Sequence, residues 1–260
     1  MAELDLATVA AASDAWVLEP EGSEVVETAE YRLLRFPERF ADPLQVQWVR
    51  SARPAEAVLE DVIARAVEFG LPEAGVYVRL TAPDGFEEAL LGRGAQLVDT
   101  GDVLAMALPA DVTAADLPGL EVRWLTAPQV ARDANMIGVS VFGGSRASDD
   151  ELARRAAAYR DMVIAGTGGA VVAYLDDTPA GLAGIEIADG VARLWGGAVL
   201  EAYRGRGVYR ALVAVRLTYA AKHGATMALT QGRVATSSPI LQRLGFVSYG
   251  QERSYRLPLG

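Results

Sequence analysis

The stretch GGAVLEAYRGRGVYRALVAVRL, Gly196–Leu217, decides how this chain is read. An apolar strand enters it, a turn of Arg204-Gly205-Arg206-Gly207 follows, and an amphipathic helix leaves. Such a turn lets successive backbone N–H groups converge on an anion. Glycine permits close approach, and the helix N-terminus adds the positive end of its dipole. Arg204, Arg206 and Arg210 bring formal charge to the same point. A pyrophosphate is the natural occupant. Other phosphate loops are excluded by what is missing. The chain has no G-x-x-x-x-G-K-[ST]. Gly205-x-Gly207 has Arg210 where a dinucleotide fingerprint needs its third glycine, and no acid follows about 20 residues on to grip a ribose.

Working outward, three strands precede the turn: Ala170–Leu175, Ala180–Ile187 and Val191–Leu200, separated by Asp-Asp-Thr-Pro and Ala-Asp-Gly. Before them come a strand at Glu121–Leu125 and a helix at Ala127–Ile137 with Thr126 as N-cap and Pro128 in its first turn. A loop over Val139–Ser148 and a helix over Ser148–Met162 follow, the latter with three acids in its first turn. After the turn, the helix Val208–His223 closes on Gly224. A strand at Met227–Thr230, a short helix at Pro239–Leu244 and strands at Phe246–Tyr249 and Arg253–Leu257 complete this half.

The first half repeats that order more faintly. It reads as a helix at Leu4–Trp16, strands near Ser23–Val26, Tyr31–Phe36 and Leu44–Val49, and a helix at Pro54–Phe69 ending on Gly70. A strand at Val76–Leu80, a helix at Gly85–Leu91 and strands at Gln96–Val98 and Val103–Leu108 follow. Setting Gly70 on Gly224 places Arg50 on Arg204 and Arg53 on Gly207. Farther on, Gly94 falls on Gly245 and VLAMAL (Val103–Leu108) on SYRLPL (Ser254–Leu259). This is a weak internal repeat. Pro109–Gly119, rich in small residues, Asp and Pro, is the expected boundary, dividing domains at 1–112 and 120–260.

The turn resembles the acetyl-CoA pyrophosphate motif of the GNAT N-acetyltransferase superfamily, [RQ]-x-x-G-x-[GA], here Arg204-Gly205-Arg206-Gly207-Val208-Tyr209. Tyr209 departs from the small residue preferred at the last position. SSPILQRLGF (Ser237–Phe246) is similar to the family's short helix ending in L-G-F. The resemblance covers about 140 residues. It implies an α/β (α+β) GNAT fold, with a mixed, mostly antiparallel central sheet flanked by helices. The repeat implies that the fold is duplicated, in the manner of tandem GNAT proteins whose first half is degenerate. At the first half's phosphate position stands Arg50-Ser51-Ala52-Arg53-Pro54-Ala55, without glycine and with one N–H removed by Pro54.

The same resemblance implies a strand Val191–Leu200 that splays from Met227–Thr230 and admits the pantetheine arm. It implies backbone contacts from Ala198, Val199 and Leu200, the phosphate turn at Arg204, Gly205, Arg206, Gly207, Val208 and Tyr209, and a polar contact from Thr236 or Ser238. The amine must be deprotonated before it attacks, and Glu186 is the candidate base, the other reading being an outward-facing strand acid. The family's tyrosine acid, four residues before the glycine of L-G-F, is replaced by Leu241. Tyr209, Tyr249 and Tyr255 are the substitutes, with Tyr255 and Tyr249 taken as catalytic candidates. Ser238 also reads as a helix cap.

The implied activity is transfer of an acetyl group from acetyl-CoA to a primary amine of a small molecule or peptide, by direct attack. The alternative is an acyl-CoA sensor or scaffold with little or no turnover. Absent cysteine excludes a disulfide framework, thiolate ligands and a cysteine nucleophile. The lone His223 excludes a His-pair metal site and sits beside a helix-ending glycine, so no metal is expected. Net charge is −10, with 8 Arg against 22 acids up to residue 119 (−14) and 16 basic residues against 12 acids after it (+4). That asymmetry reads either as an acidic surface that keeps the protein soluble or as an acidic half for cationic acceptors beside a basic half for a polyanionic donor, and no basic stripe with interleaved aromatics points to nucleic acid. The longest apolar runs, such as Trp195–Leu200, are far short of the ~20 residues that span a bilayer. The acidic N-terminal residues do not read as an export signal, so a cytoplasmic location is expected. A homodimer is compatible with all of this.

Overall fold

The computed structural model describes residues 4–37, 40, 42–113 and 117–260. Its elements in chain order begin with α1 (Leu6–Asp14), β1 (Glu24–Glu27), β2 (Tyr31–Arg35), β3 (Leu44–Val49), α2 (Ala55–Val67), β4 (Glu73–Val78), α3 (Phe86–Gly92) and β5 (Gln96–Ala107). Then come β6 (Leu120–Trp124), α4 (Pro128–Phe142), α5 (Asp149–Ala165), β7 (Gly168–Leu175), β8 (Thr178–Ala188) and β9 (Val191–Val199). A 3₁₀ turn at Glu201–Tyr203 leads to α6 (Val208–Lys222), β10 (Met227–Arg233), α7 (Ser237–Arg243) and β11 (Val247–Pro258).

These elements form two compact units. The first holds residues 5–104 together with 232–240 and 248–260. The second holds Leu4, 105–231 and 241–247. This corrects the expectation of a second domain running unbroken from 120 to 260. The reason is β11, which pairs antiparallel with β4 from Arg253↔Val78 to Pro258↔Glu73. Its inward residues Tyr255 and Leu257 join a core of Leu33, Leu44, Val46, Leu59 and Val76.

Each unit contains parallel and antiparallel strand pairs. In the first, the order is β1-β2-β3-β4-β11-β5, with β3 and β4 parallel across α2. In the second, it is β10-β9-β8-β7-β6, with β9 and β10 parallel across α6 and antiparallel pairs elsewhere. The repeat seen in the sequence is thus a repeated strand–helix–strand unit.

Local chemistry explains the second unit. Asp176 (φ 50°) and Asp177 (φ 59°) turn β7 into β8, and Asp189 (φ 51°) with Gly190 turns β8 into β9. Short polar residues tolerate the left-handed pair that two-residue hairpins need. Ser148 caps α5 by accepting from the Glu151 N–H at 3.3 Å. Pro128 opens α4, but the N-cap is Ala127, with no side-chain bond, and not Thr126. The helix also runs to Phe142, five residues past its expected end, because Ile137 and Val141 continue its apolar face. The loop therefore shrinks to 143–148, with Asn135 Oδ1 accepting from the Ala147 N–H.

Helix α6, expected to be amphipathic, is largely buried. Nine of its 15 residues are buried, which matches its run of Ala, Leu and Val. The strand pairs expected near 96–108 and 246–257 are each one continuous 12-residue strand.

Candidate functional site

The Arg/Gly turn lies wholly within the second unit. Gly205 (φ 72°) and Gly207 (φ 87°) both take left-handed backbone, Gly207 as the N-cap of α6. The amides of Gly205, Arg206, Gly207, Val208 and Tyr209 donate to no backbone carbonyl of the described residues. Around them stand three exposed guanidinium groups. Arg204 Nε reaches the Val199 carbonyl at 3.3 Å and Arg210 Nε the Thr113 carbonyl at 2.9 Å. Arg206 lies over the Tyr203 ring at 5.8 Å. Among the described residues, none of the three is ion-paired, unlike Arg123, Arg132, Arg155 and Arg193 in the same unit. Unspent donors and unneutralised cations around two glycines suit a polyanion.

The matching turn of the first unit is spent. Arg53 is bonded to Glu30 at 2.9 Å and Asp61 at 2.6 Å. Its amide donates to the Ser51 hydroxyl, the Arg50 amide donates to the Glu30 carbonyl, and the Ser51 hydroxyl donates to Glu30. Acids occupy the place where phosphates would need donors.

Strand β9 meets β10 only from Val191↔Met227 to Arg193↔Leu229, with the Thr230 hydroxyl reaching the Leu194 carbonyl at 2.8 Å. Beyond that, Trp195–Val199 pair with β8 alone among the described residues. Leu200 N–H donates to Ala180, so by strand alternation the N–H and C=O of Val199 face the unpaired side. Ala198 and Val199 are buried and Leu200 half-buried. Between Gly184↔Trp195 and Leu182↔Ala198, two residues of β9, Gly196 and Gly197, oppose Ala183 alone. This is a β-bulge, with Gly196 at φ 61°. Gly197 makes room for Tyr209, whose ring Cε2 lies 3.0 Å and hydroxyl 3.4 Å from where a Cβ would stand. A large residue at the motif's small position is thus matched by glycine opposite it.

Glu186 pairs with Arg193 across β8 and β9, Oε1 to Nη1 at 3.4 Å, with the acid partly exposed and the arginine buried. It shares a face with Gly184, on which the Trp195 indole rests; Trp195 in turn stacks against Tyr159 of α5. His223 is a helix C-cap, with Nδ1 2.8 Å from the Tyr219 carbonyl.

The other expected residues belong to the first unit. Tyr255 is buried in its core and its hydroxyl donates to Glu87; burial first, then Glu87, push its pKa up, to about 12. Tyr249 is half-buried on β11 and Thr236 is exposed in the turn before α7. Ser238 is fully buried, and its hydroxyl donates to Asp102. Ser237 accepts the Arg233 backbone N–H at 2.8 Å. Leu241, in the place of the family's acid, is buried and apolar.

Residues 141–246 match the acetyltransferase (GNAT) family model. Over that stretch, less than half of the chain, the sequence is similar to the GNAT acetyltransferases. The GNAT fold extends to both halves, as solved structures show. A GCN5-related N-acetyltransferase from Kribbella flavida is similar at 19% identity and TM-score 0.66, over 98% of this chain and 95% of that one. One from Sphaerobacter thermophilus gives 16% and 0.65, over 92% and 83%. A tandem GNAT protein from the clavulanic acid biosynthesis pathway gives 17% and 0.63, over 97% and 88%. No curated protein sequence matches the chain. Among the described residues, no group of three or more His, Asp or Glu is placed to hold a metal, and no helix is long and apolar enough to cross a membrane.

Proposed function

We propose that the second unit transfers an acetyl group from acetyl-CoA to the primary amine of a small molecule or peptide. The observation that carries this is the turn at Arg204–Tyr209, where, among the described residues, five amides donate to no backbone carbonyl and three arginines form no ion pair. Those amides and guanidinium groups bind the pyrophosphate. The open side of Val199 bonds the pantetheine amides, with Ala198 and Leu200 flanking it. Acetyl-CoA, when bound, supplies a thioester whose sulfur is the leaving group. A bulge amide at Gly196 or Gly197 donates to the carbonyl oxygen as negative charge gathers there.

The amine nitrogen bonds to the acetyl carbon, the carbon–sulfur bond breaks, and its electron pair leaves on sulfur. Glu186 takes the amine proton, through water. Tyr209 is the phenol we assign to the sulfur, in place of Tyr249 and Tyr255. Burial raises its pKa and nearby Arg216 opposes that rise, so it stays protonated at neutral pH. The first unit does not bind a second acetyl-CoA, and the location in this reading is cytoplasmic. Buried Leu241 favours the second reading, a sensor with weak turnover.

A thiol-release assay over a panel of amines tests this. Turnover is expected with at least one cationic amine. Glu186→Gln should lower it most near neutral pH and matter less as pH approaches the amine's pKa of about 10. An unchanged pH–rate profile removes Glu186 from the mechanism, and silence across the panel leaves the sensor.

A further inference from the structure

Arg216 of α6 is 2% exposed. Its Nε donates to the Leu212 carbonyl at 2.9 Å and its Nη1 to the Gly184 carbonyl at 3.0 Å. Among the described residues it forms no ion pair, and Tyr209 is the ionisable group whose charge opposes the effect of its burial. Burial pulls its pKa down to about 10, which leaves it charged at neutral pH. A buried cation without a counter-charge is costly to the fold, and two carbonyls offset only part of that. An apolar residue of the same size would serve packing better.

Its place is informative. Tyr209 and Arg216 are seven residues apart, two helical turns on one face. The Arg216 side chain reaches back a turn to Leu212, towards Tyr209, and the Tyr209 ring lies against Gly197. Gly184, whose carbonyl Arg216 takes, pairs with Trp195, the residue immediately before the bulge. The guanidinium is therefore fixed just behind the bulge, held by bonds that need no rearrangement.

We infer that Arg216 is a positioning residue for acyl transfer: its buried positive charge, set behind the Gly196–Gly197 bulge, stabilises the negative charge that develops on the thioester oxygen and sulfur. This rests on the acetyl-CoA reading above. In a dry interior a fixed unit charge acts over several ångströms, and it acts more on the charged transition state than on the neutral thioester. Arg216 should therefore affect kcat and carbonyl polarisation while leaving affinity alone.

The test compares full-length wild type, Arg216→Met and Arg216→Lys. Three readouts are taken: acetyl-CoA affinity by calorimetry, the ¹³C resonance of bound acetyl-CoA labelled at the carbonyl, and melting temperature. Turnover is added with any amine that wild type accepts. Methionine is expected to keep the affinity within about threefold and the melting temperature at or above wild type. It should shift the carbonyl resonance towards that of free acetyl-CoA and lower kcat at least about tenfold. Lysine should recover part of both. Should methionine not fold, Arg216→Gln carries the same comparison. An unmoved resonance in a saturated methionine or glutamine variant overturns the inference and leaves Arg216 a carbonyl clamp. A wild-type chain that does not bind acetyl-CoA overturns the function reading itself, and this inference with it.

Discussion

Replacing Gly207 with valine is expected to weaken acetyl-CoA binding at least about a hundredfold, close to 2.7 kcal/mol. Two effects add. Gly207 sits at φ 87°, where a β-branched residue is strained, so the turn is pushed away from the conformation that converges its amides. A side chain there also enters the space that phosphate oxygens need beside the Gly207 and Val208 N–H groups. Three flanking arginines cannot restore the contact, since they attract an anion without fixing its position. Melting temperature should fall by only a few degrees, because the strain is local. Micromolar binding retained by a folded Gly207→Val chain would mean that the phosphates lie elsewhere.

Ending the chain at Val247 is expected to unfold the first unit. That unit's sheet has β11 between β4 and β5, so removal strands both neighbours and strips Tyr255 and Leu257 from the core. Losing one large core side chain costs about 2–5 kcal/mol, and a domain holds only about 5–15 in all. The polar losses compound this: Glu252, buried, accepts from Ser13 at 2.7 Å, and Arg253 is bonded to Glu87 at 2.8 Å. Hydrogen exchange should show the amides of β2, β3 and β4 unprotected in the truncated chain. Native protection there would show that the last strand is dispensable.

The conformation of the Arg204–Tyr209 turn was legible because its chemistry is local: glycines, arginines and a helix start within six residues. The hairpins of the second unit were legible for the same reason, since Asp-Asp and Asp-Gly specify their own turns. Partnership between distant segments was not. The alternation of Arg253–Leu257 is the same whichever strand lies beside it, so nothing in those residues announced β4 as the neighbour. Ser238 read as a ligand contact because its hydroxyl's partner, Asp102, lies 136 residues away. Tyr209 read as a departure until Gly197, 12 residues earlier, proved to be its counterpart. Arg216 carries no local signal in its helix, and the structure buries it.

Binding stoichiometry tests the central claim most directly. Calorimetric titration of the full chain with acetyl-CoA is predicted to give one equivalent. The amides of Gly205–Tyr209, which donate to no backbone carbonyl of the described residues, form the one proposed phosphate site, while Glu30 and Asp61 bond Arg53 in the matching turn of the first unit. Gly207→Val should reduce that one to none. Two equivalents per chain, or none with the wild type, would contradict the account.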